Sequence, residues 1–389
     1  MLRIAMLAPF GIRPKGTLLA RMLPLAQALT QRGHAVTIIA PPVHNPEAAG
    51  TRIRYGAVPV VHTPAALGPG PLAVVQQSVA LMHAALREQP DCLHLFKPKG
   101  YGGLAALAAA PLGLPLVLDT DDWEGPGGWN ELLPYPTAAR RLFAWQERDL
   151  PRRAAAVTVA SRTLESLVWA MGVAPQRVFY LPNGVAVQPR AAAPIRAAAT
   201  RGASAKLLLY TRFWELDLAE LAAALAAVHS ARPEARLIVV GQGEQGEEQH
   251  LLAWAERAGF RPLLDYRGWL APEAIPEVLA EAAIALVPTR DTLINRARCS
   301  AKLLELMGAG LALVASDVGE ARSFIRHEQH GLLVPPGDAG ALAVACVRLL
   351  DDAPLRERLA QGAYMAATQS TWQRLALVAE AAYTLALPP

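Results

Sequence analysis

Apolar positions along the chain follow two rhythms. Short continuous runs at 3–9, 35–40, 91–96, 116–119, 157–160 and 178–181 alternate with longer stretches whose apolar residues recur every three to four positions. Runs of that length fit strands covered on both faces, and the stretches between them fit crossover helices, so the pattern predicts a parallel sheet. The opening unit is explicit: a strand over 3–9, a Gly/Pro loop through Gly16, a helix over 17–32 and, after Gly33 and His34, a strand over 35–40. Residues 187–206 lose this periodicity and become rich in Pro and Ala, as a linker would. The alternation then restarts, with strands at 207–210, 236–240, 264–267, 284–287 and 311–315. The expectation is an α/β chain of two doubly wound, Rossmann-like domains, 1–190 and 206–370, joined by a linker at 191–205. A last helix within 371–389 is expected to pack back on the N-terminal domain. Tandem sheets of this kind face each other across a cleft at the carboxyl ends of their strands, where ligands of open α/β folds bind.

Size agrees with two domains, since 389 residues exceed what one hydrophobic core usually fills. The 37 basic and 33 acidic residues leave a net charge of only +4, which argues against a nucleic-acid partner. Cys92, Cys299 and Cys346 are an odd, unclustered set without metal-ligand spacing, as expected of a reducing compartment. The first sixteen residues place a charge inside a short apolar run and read as a strand, not a signal peptide. No apolar run reaches the roughly 18 residues of a membrane span. A cytoplasmic protein is expected.

Chemistry concentrates at 296–310. Arg296, Arg298 and Lys302 gather at the start of a predicted helix, where a partial positive charge and free backbone N–H groups make cations unfavourable unless an anion also binds. That points to a phosphate site; a surface helix with its charges paired elsewhere is the alternative. Glu305 lies one turn from Lys302 on the same face and brings a hydroxyl-binding carboxylate beside a phosphate-binding cation, a combination suited to a nucleotide-sugar.

With these pieces in order the chain resembles the retaining GT-B glycosyltransferases of family 4 over nearly its whole length. The matching stretches are the N-terminal strand, Gly loop and helix ending in Arg32-Gly33-His34; Asp91 to His94; Ser161 to Leu164; Arg177-Val178 with Pro182-Asn183-Gly184-Val185; Tyr210-Thr211-Arg212; Val239 to Gly243; Tyr266-Arg267-Gly268; and Lys302 to Gly310. The resemblance implies that Glu305 binds the donor ribose and that Arg212 binds the donor diphosphate and stabilises the leaving group. Two positions depart from the family. Arg298 stands where its first motif glutamate lies, and Asp217 stands where the Lys partner of Arg212 lies, so Lys302 would supply the second charge. Backbone N–H groups of Cys299, Ser300 and Ala301 would add to the phosphate cradle. Gly16, Gly241 and Gly243 match positions of close backbone approach to the donor, each equally read as a turn residue, and Trp269 marks the base-binding edge.

On the acceptor side, Asp121 and Asp122 align with a His and an Asp near the reacting sugar, and Lys97 and Lys99 are expected to line the acceptor. Asp119-Thr120-Asp121-Asp122 also looks like the metal motif of another glycosyltransferase fold, a reading set aside because of the two-domain pattern. His94 reads as structural. The resemblance implies transfer of a sugar from a nucleotide-diphosphate-sugar to a glycan, lipid-linked or small-molecule acceptor hydroxyl with retention, without cofactor or metal. A catalytically degenerate sugar-binding subunit and an epimerase on the same fold are the alternatives. Basic and aromatic residues from Arg140 to Arg153 on one predicted helix suggest peripheral contact with the inner face of a membrane, against a plain solvated face.

Overall fold

A computed structural model of the chain describes residues 1–12, 16–68, 70–185 and 205–387. It divides into two compact units: Met1–Gly184 with Ala297–Cys299 and Trp372–Pro389, and Val185–Arg296 with Ser300–Thr371. The expected linker at 191–205 lies outside the described residues except for Ala205.

The first unit carries β1 (Arg3–Leu7), β2 (Ala35–Ala40), β3 (Arg52–Tyr55), β4 (Val58–His62), β5 (Cys92–Phe96), β6 (Leu116–Thr120), β7 (Ala156–Val159) and β8 (Val178–Tyr180). Among the described residues these form one sheet in the order β3-β4-β2-β1-β5-β6-β7-β8, parallel except for the β3–β4 hairpin at its edge. Strand order reverses between β1 and β5, and the carboxyl ends at such a reversal are where open α/β sheets hold ligands. Gly16 follows β1, Lys97 follows β5 and Asp121 follows β6.

The helix expected over 17–32 is present but begins with a π-helical turn, Leu18–Met22, before the α-helix Leu23–Gln31. Pro24 explains the change, because it has no N–H to donate to the turn before it. The helix Trp372–Ala386 completes this unit. Its Leu375, Ala379 and Tyr383 are buried in the same core as Leu25, Leu29 and Phe96. The Tyr383 hydroxyl lies 2.8 Å from His94 Nδ1, and Glu380 accepts from Arg32 at 2.6 and 2.8 Å.

The second unit carries β9 (Leu207–Tyr210), β10 (Leu237–Val240), β11 (Leu264–Gly268), β12 (Ile284–Val287), β13 (Ala312–Ser316) and β14 (Leu332–Val334). These pair in parallel in the order β11-β10-β9-β12-β13-β14, with the reversal between β9 and β12. Arg212, Gly241 and Trp269 follow the carboxyl ends of β9, β10 and β11. The helix expected from 296 to 310 differs. A short helix, Leu293–Ala297, stops, and a new one, Ala301–Gly308, begins after Ser300, whose Oγ accepts from Leu303 N at 3.3 Å as an N-cap. Of the three cations placed at the helix start, only Lys302 lies in its first turn. Arg296 lies in the last turn of the preceding helix, paired with Asp291, and Arg298 lies in the break between the two.

Candidate functional site

In the second unit the end of β9 and the helix Ala301–Gly308 meet around Tyr210. Lys302 Nζ lies 4.5 Å from the Tyr210 ring centroid. Burial pushes the Tyr210 hydroxyl up to about 12, with the Glu305 carboxylate adding to the rise and Arg212 opposing it. Burial likewise raises the Glu305 carboxyl, and Lys302 pulls it back down. Arg212, Lys302 and Glu305 are therefore brought together electrostatically around Tyr210, a residue the sequence reading did not assign a role.

Arg212 projects from a tight turn. Phe213 takes φ 67° and donates its N–H to Thr211 Oγ1 at 2.8 Å, while the exposed Arg212 guanidinium stands 6.0 Å from the Trp214 ring. Asp217, in place of the family's lysine, is a helix cap: its Oδ1 accepts from Ala219 N at 2.8 Å and Glu220 N at 3.1 Å. Gly241 takes φ 128°, and a Cβ there would collide with the Thr211 carbonyl, so this glycine lets the β10 loop lie against the Arg212 turn. Gly243 donates to Glu248 Oε2 at 2.9 Å, and Trp269 is 68% exposed.

Ser300 spends its hydroxyl on the cap of the helix that Ala301 begins. Cys299 is buried and belongs with the first unit, where its carbonyl accepts from Asn183 Nδ2 at 2.7 Å. Arg298 precedes it in the same segment. Cys299 directly precedes the cap residue Ser300, and Arg298 lies one position farther out, in the break between the two short helices.

In the first unit Asp119 is wholly buried and accepts from Arg21 Nε at 2.8 Å, Arg21 Nη2 at 2.6 Å and Thr158 Oγ1 at 2.6 Å. Asp119 is committed to this network, which also serves Leu181 O and Asn183 Oδ1. Arg21 was missed, although an arginine on the apolar face shared by Leu18, Leu25 and Leu29 is a legible signal. Asp121 and Asp122 sit just beyond. Asp121 Oδ2 accepts weakly from Thr17 Oγ1 at 3.4 Å, while its buried Oδ1 faces the Lys97 ammonium at 3.3 Å. Burial pushes its carboxyl up to about 6, with Lys97 opposing and Asp122 and Asp119 adding. Gly16 is exposed, its carbonyl taken by Ala20 N at 2.6 Å.

Lys97 and Lys99, expected to line the acceptor, are buried and taken up by carboxylates. Lys97 Nζ lies 2.6 Å from Asp122 Oδ2, 3.3 Å from Asp121 Oδ1 and 3.4 Å from Glu124 Oε1. Lys99 Nζ donates to Glu124 Oε2 at 2.7 Å and stands over the Tyr135 ring at 4.7 Å. Glu147, on the helix Thr137–Arg153, faces this cluster, and burial with the nearby Glu124 raises its carboxyl well above the usual range. Neither glutamate was singled out from the sequence. His94 is structural as expected: burial lowers its imidazole to about 4 beside Tyr383.

On the helix proposed for membrane contact, Arg140 donates to Leu133 O at 3.2 Å, Arg152 donates to Met171 O at 2.5 Å and Arg153 pairs with Asp149. Among the described residues no helix is long and apolar enough to cross a membrane.

Two family models match in tandem: the glycosyl transferase 4-like domain over residues 16–184 and the glycosyl transferases group 1 model over 205–352. The chain is 26% identical over 386 residues to the phosphatidyl-myo-inositol mannosyltransferase of Mycobacterium leprae, covering 96% of this chain and 94% of that one. The sucrose-phosphate synthase structure from Thermosynechococcus elongatus shares the fold with a TM-score of 0.73 at 19% identity, covering 99% of this chain and 98% of the other. The Anabaena HepE structure, solved with UDP and glucose, superposes with a TM-score of 0.71 at 19% identity over 99% of each chain. Two parallel-sheet α/β units, matched in order by both family models and in fold by these structures, show that the chain belongs to the GT-B glycosyltransferases of family 4.

Proposed function

We propose that this glycosyltransferase moves a sugar from a nucleotide-diphosphate-sugar to an acceptor hydroxyl with retention of configuration. The observation that carries the reading is the convergence of Arg212, Lys302 and Glu305 around Tyr210 in the second unit. An ionised Glu305 can accept from both hydroxyls of a ribose, and its partly buried setting strengthens those bonds. In transfer, the bond from the anomeric carbon to the diphosphate breaks with its electron pair left on phosphate. The acceptor oxygen forms the new bond and passes its proton to the oxygen freed on the departing diphosphate. Arg212 and Lys302 neutralise the charge that develops on the departing diphosphate. Trp269, exposed after β11, offers a face for the base. In the first unit, Asp121 orients the acceptor hydroxyl by accepting its hydrogen bond.

The curated relative is named for mannosyl transfer to phosphatidyl-myo-inositol, which supports a hexose donor and a polyol acceptor. A thermal-shift panel of UDP-, GDP-, ADP- and dTDP-sugars tests the donor: the true one stabilises the chain by mass action and the others do not. The reading fails if no nucleotide-sugar shifts the transition.

A further inference from the structure

Lys97 stands in an unusual setting. Its backbone takes φ 64°, a left-handed conformation that favours glycine, and its N–H donates to Asp119 O at 2.9 Å. The residue is 5% exposed, yet its ammonium contacts three acids on the segment after β6: Asp121, Asp122 and Glu124. A buried lysine keeps its charge only with such partners, and here, although burial works against it, the three carboxylates hold it well above its ordinary value. Lys99 occupies the other Glu124 oxygen and so fixes that acid from its far side. The more accessible members of the cluster are the two aspartates: the Asp122 side chain is 27% exposed and that of Asp121 12%, against 6% for Lys97 and 3% for Glu124. An acceptor reaching this cluster meets carboxylates, with the lysines beneath them.

We propose that Lys97 is a positioning residue for the acceptor-side acid: its buried ammonium, 3.3 Å from the buried Oδ1, fixes the Asp121 carboxylate beside Asp122, so that the other oxygen, Oδ2, accepts from the acceptor hydroxyl. The inference rests on Asp121 orienting the acceptor. The groups facing Asp121 are Lys97, Asp122, Asp119, Arg21, Glu147 and the Thr17 hydroxyl; Glu124 and Glu147 also face Lys97. Lys97 and Arg21 are the cations among them that favour the ionised form, and the Thr17 hydroxyl adds a weak hydrogen bond to it. Arg21 is already engaged by Asp119, so Lys97 carries the larger share. Without it, Asp121 holds its proton and becomes a donor where an acceptor is needed.

The test is a carboxyl-carbon NMR titration of the full chain labelled at aspartate, with the Asp121 signal identified by its loss in Asp121→Asn. Lys97→Met is expected to raise the Asp121 midpoint by about one pH unit or more, and Lys97→Arg to keep it near the wild-type value. A Lys97→Met midpoint within about 0.3 unit of wild type overturns the proposal. If Lys97→Met does not fold, Asp122→Asn serves in its place: removing a repelling neighbour should lower the midpoint, and an unchanged or higher midpoint overturns the proposal as well. With a transferring donor and acceptor in hand, the acid limb of the transfer rate should move with the Asp121 midpoint while nucleotide affinity stays constant. An Asp121→Asn chain that transfers at the wild-type rate overturns the acceptor-side reading of Asp121, and an absence of nucleotide binding overturns the donor reading, so the three failures are distinct.

Discussion

Arg21 is wholly buried, and its guanidinium grips both oxygens of Asp119, Nε to Oδ1 at 2.8 Å and Nη2 to Oδ2 at 2.6 Å. Removing one partner of a buried pair strands the other charge, so Arg21→Met or Asp119→Leu alone should each cost about 3 kcal/mol or more. The double replacement should cost clearly less than the sum of the two. Urea unfolding of the four chains measures this coupling, and additive losses would show that the pair is not energetically linked.

Glu305→Ala should weaken donor binding at least about tenfold, because a carboxylate accepting from two hydroxyls contributes charge-assisted bonds. Calorimetry with the stabilising nucleotide-sugar reads this directly. Unchanged affinity would remove Glu305 from the donor site.

Gly241→Ala should destabilise the second unit by about 3 kcal/mol, since the new Cβ meets the Thr211 carbonyl and the residue must hold φ 128°. The Arg212 turn would shift with it, so nucleotide affinity in any folded remainder should fall. A wild-type melting temperature for this variant would contradict the packing described.

Glu147 gives the chain a pH dependence of definite sign. Its carboxyl is raised in the folded state by burial and by Glu124, so folding favours its proton. The stability this contributes is present in full below the unfolded carboxyl value and is lost as pH rises from there toward the folded value. Glu147→Gln removes the titration without adding charge. Its melting temperature should therefore gain on wild type steadily from pH 5 to pH 8, and parallel curves would refute the assignment.

Much of this was legible because strands such as β1 and β5 are continuous apolar runs, a pattern that a parallel sheet covered on both faces demands. The β3–β4 hairpin escaped notice since Arg52 to Tyr55 alternates charge at a sheet edge and Pro59 interrupts β4. The break at 298–300 was illegible for another reason. Its Cys299 carbonyl is held by Asn183, more than a hundred positions earlier, and no local breaker marks the spot, although Ser300 three residues before Leu303 fits a cap. The donor-side residues Arg212, Lys302 and Glu305 were recognisable by motif spacing. The burial of Lys97 and Lys99 was not, because it depends on acids from 121, 122 and 124 turning toward the carboxyl end of β5.

The first unit takes its closing helix, Trp372–Ala386, from sequence that follows the second unit entirely. During synthesis the second unit has all of its strands outside the ribosome before Leu375, Ala379 and Tyr383 emerge to cover the core left open by β1 to β8. The half of the protein that is made first is therefore finished second, and in the interval it presents an uncovered apolar surface that chaperones would recognise.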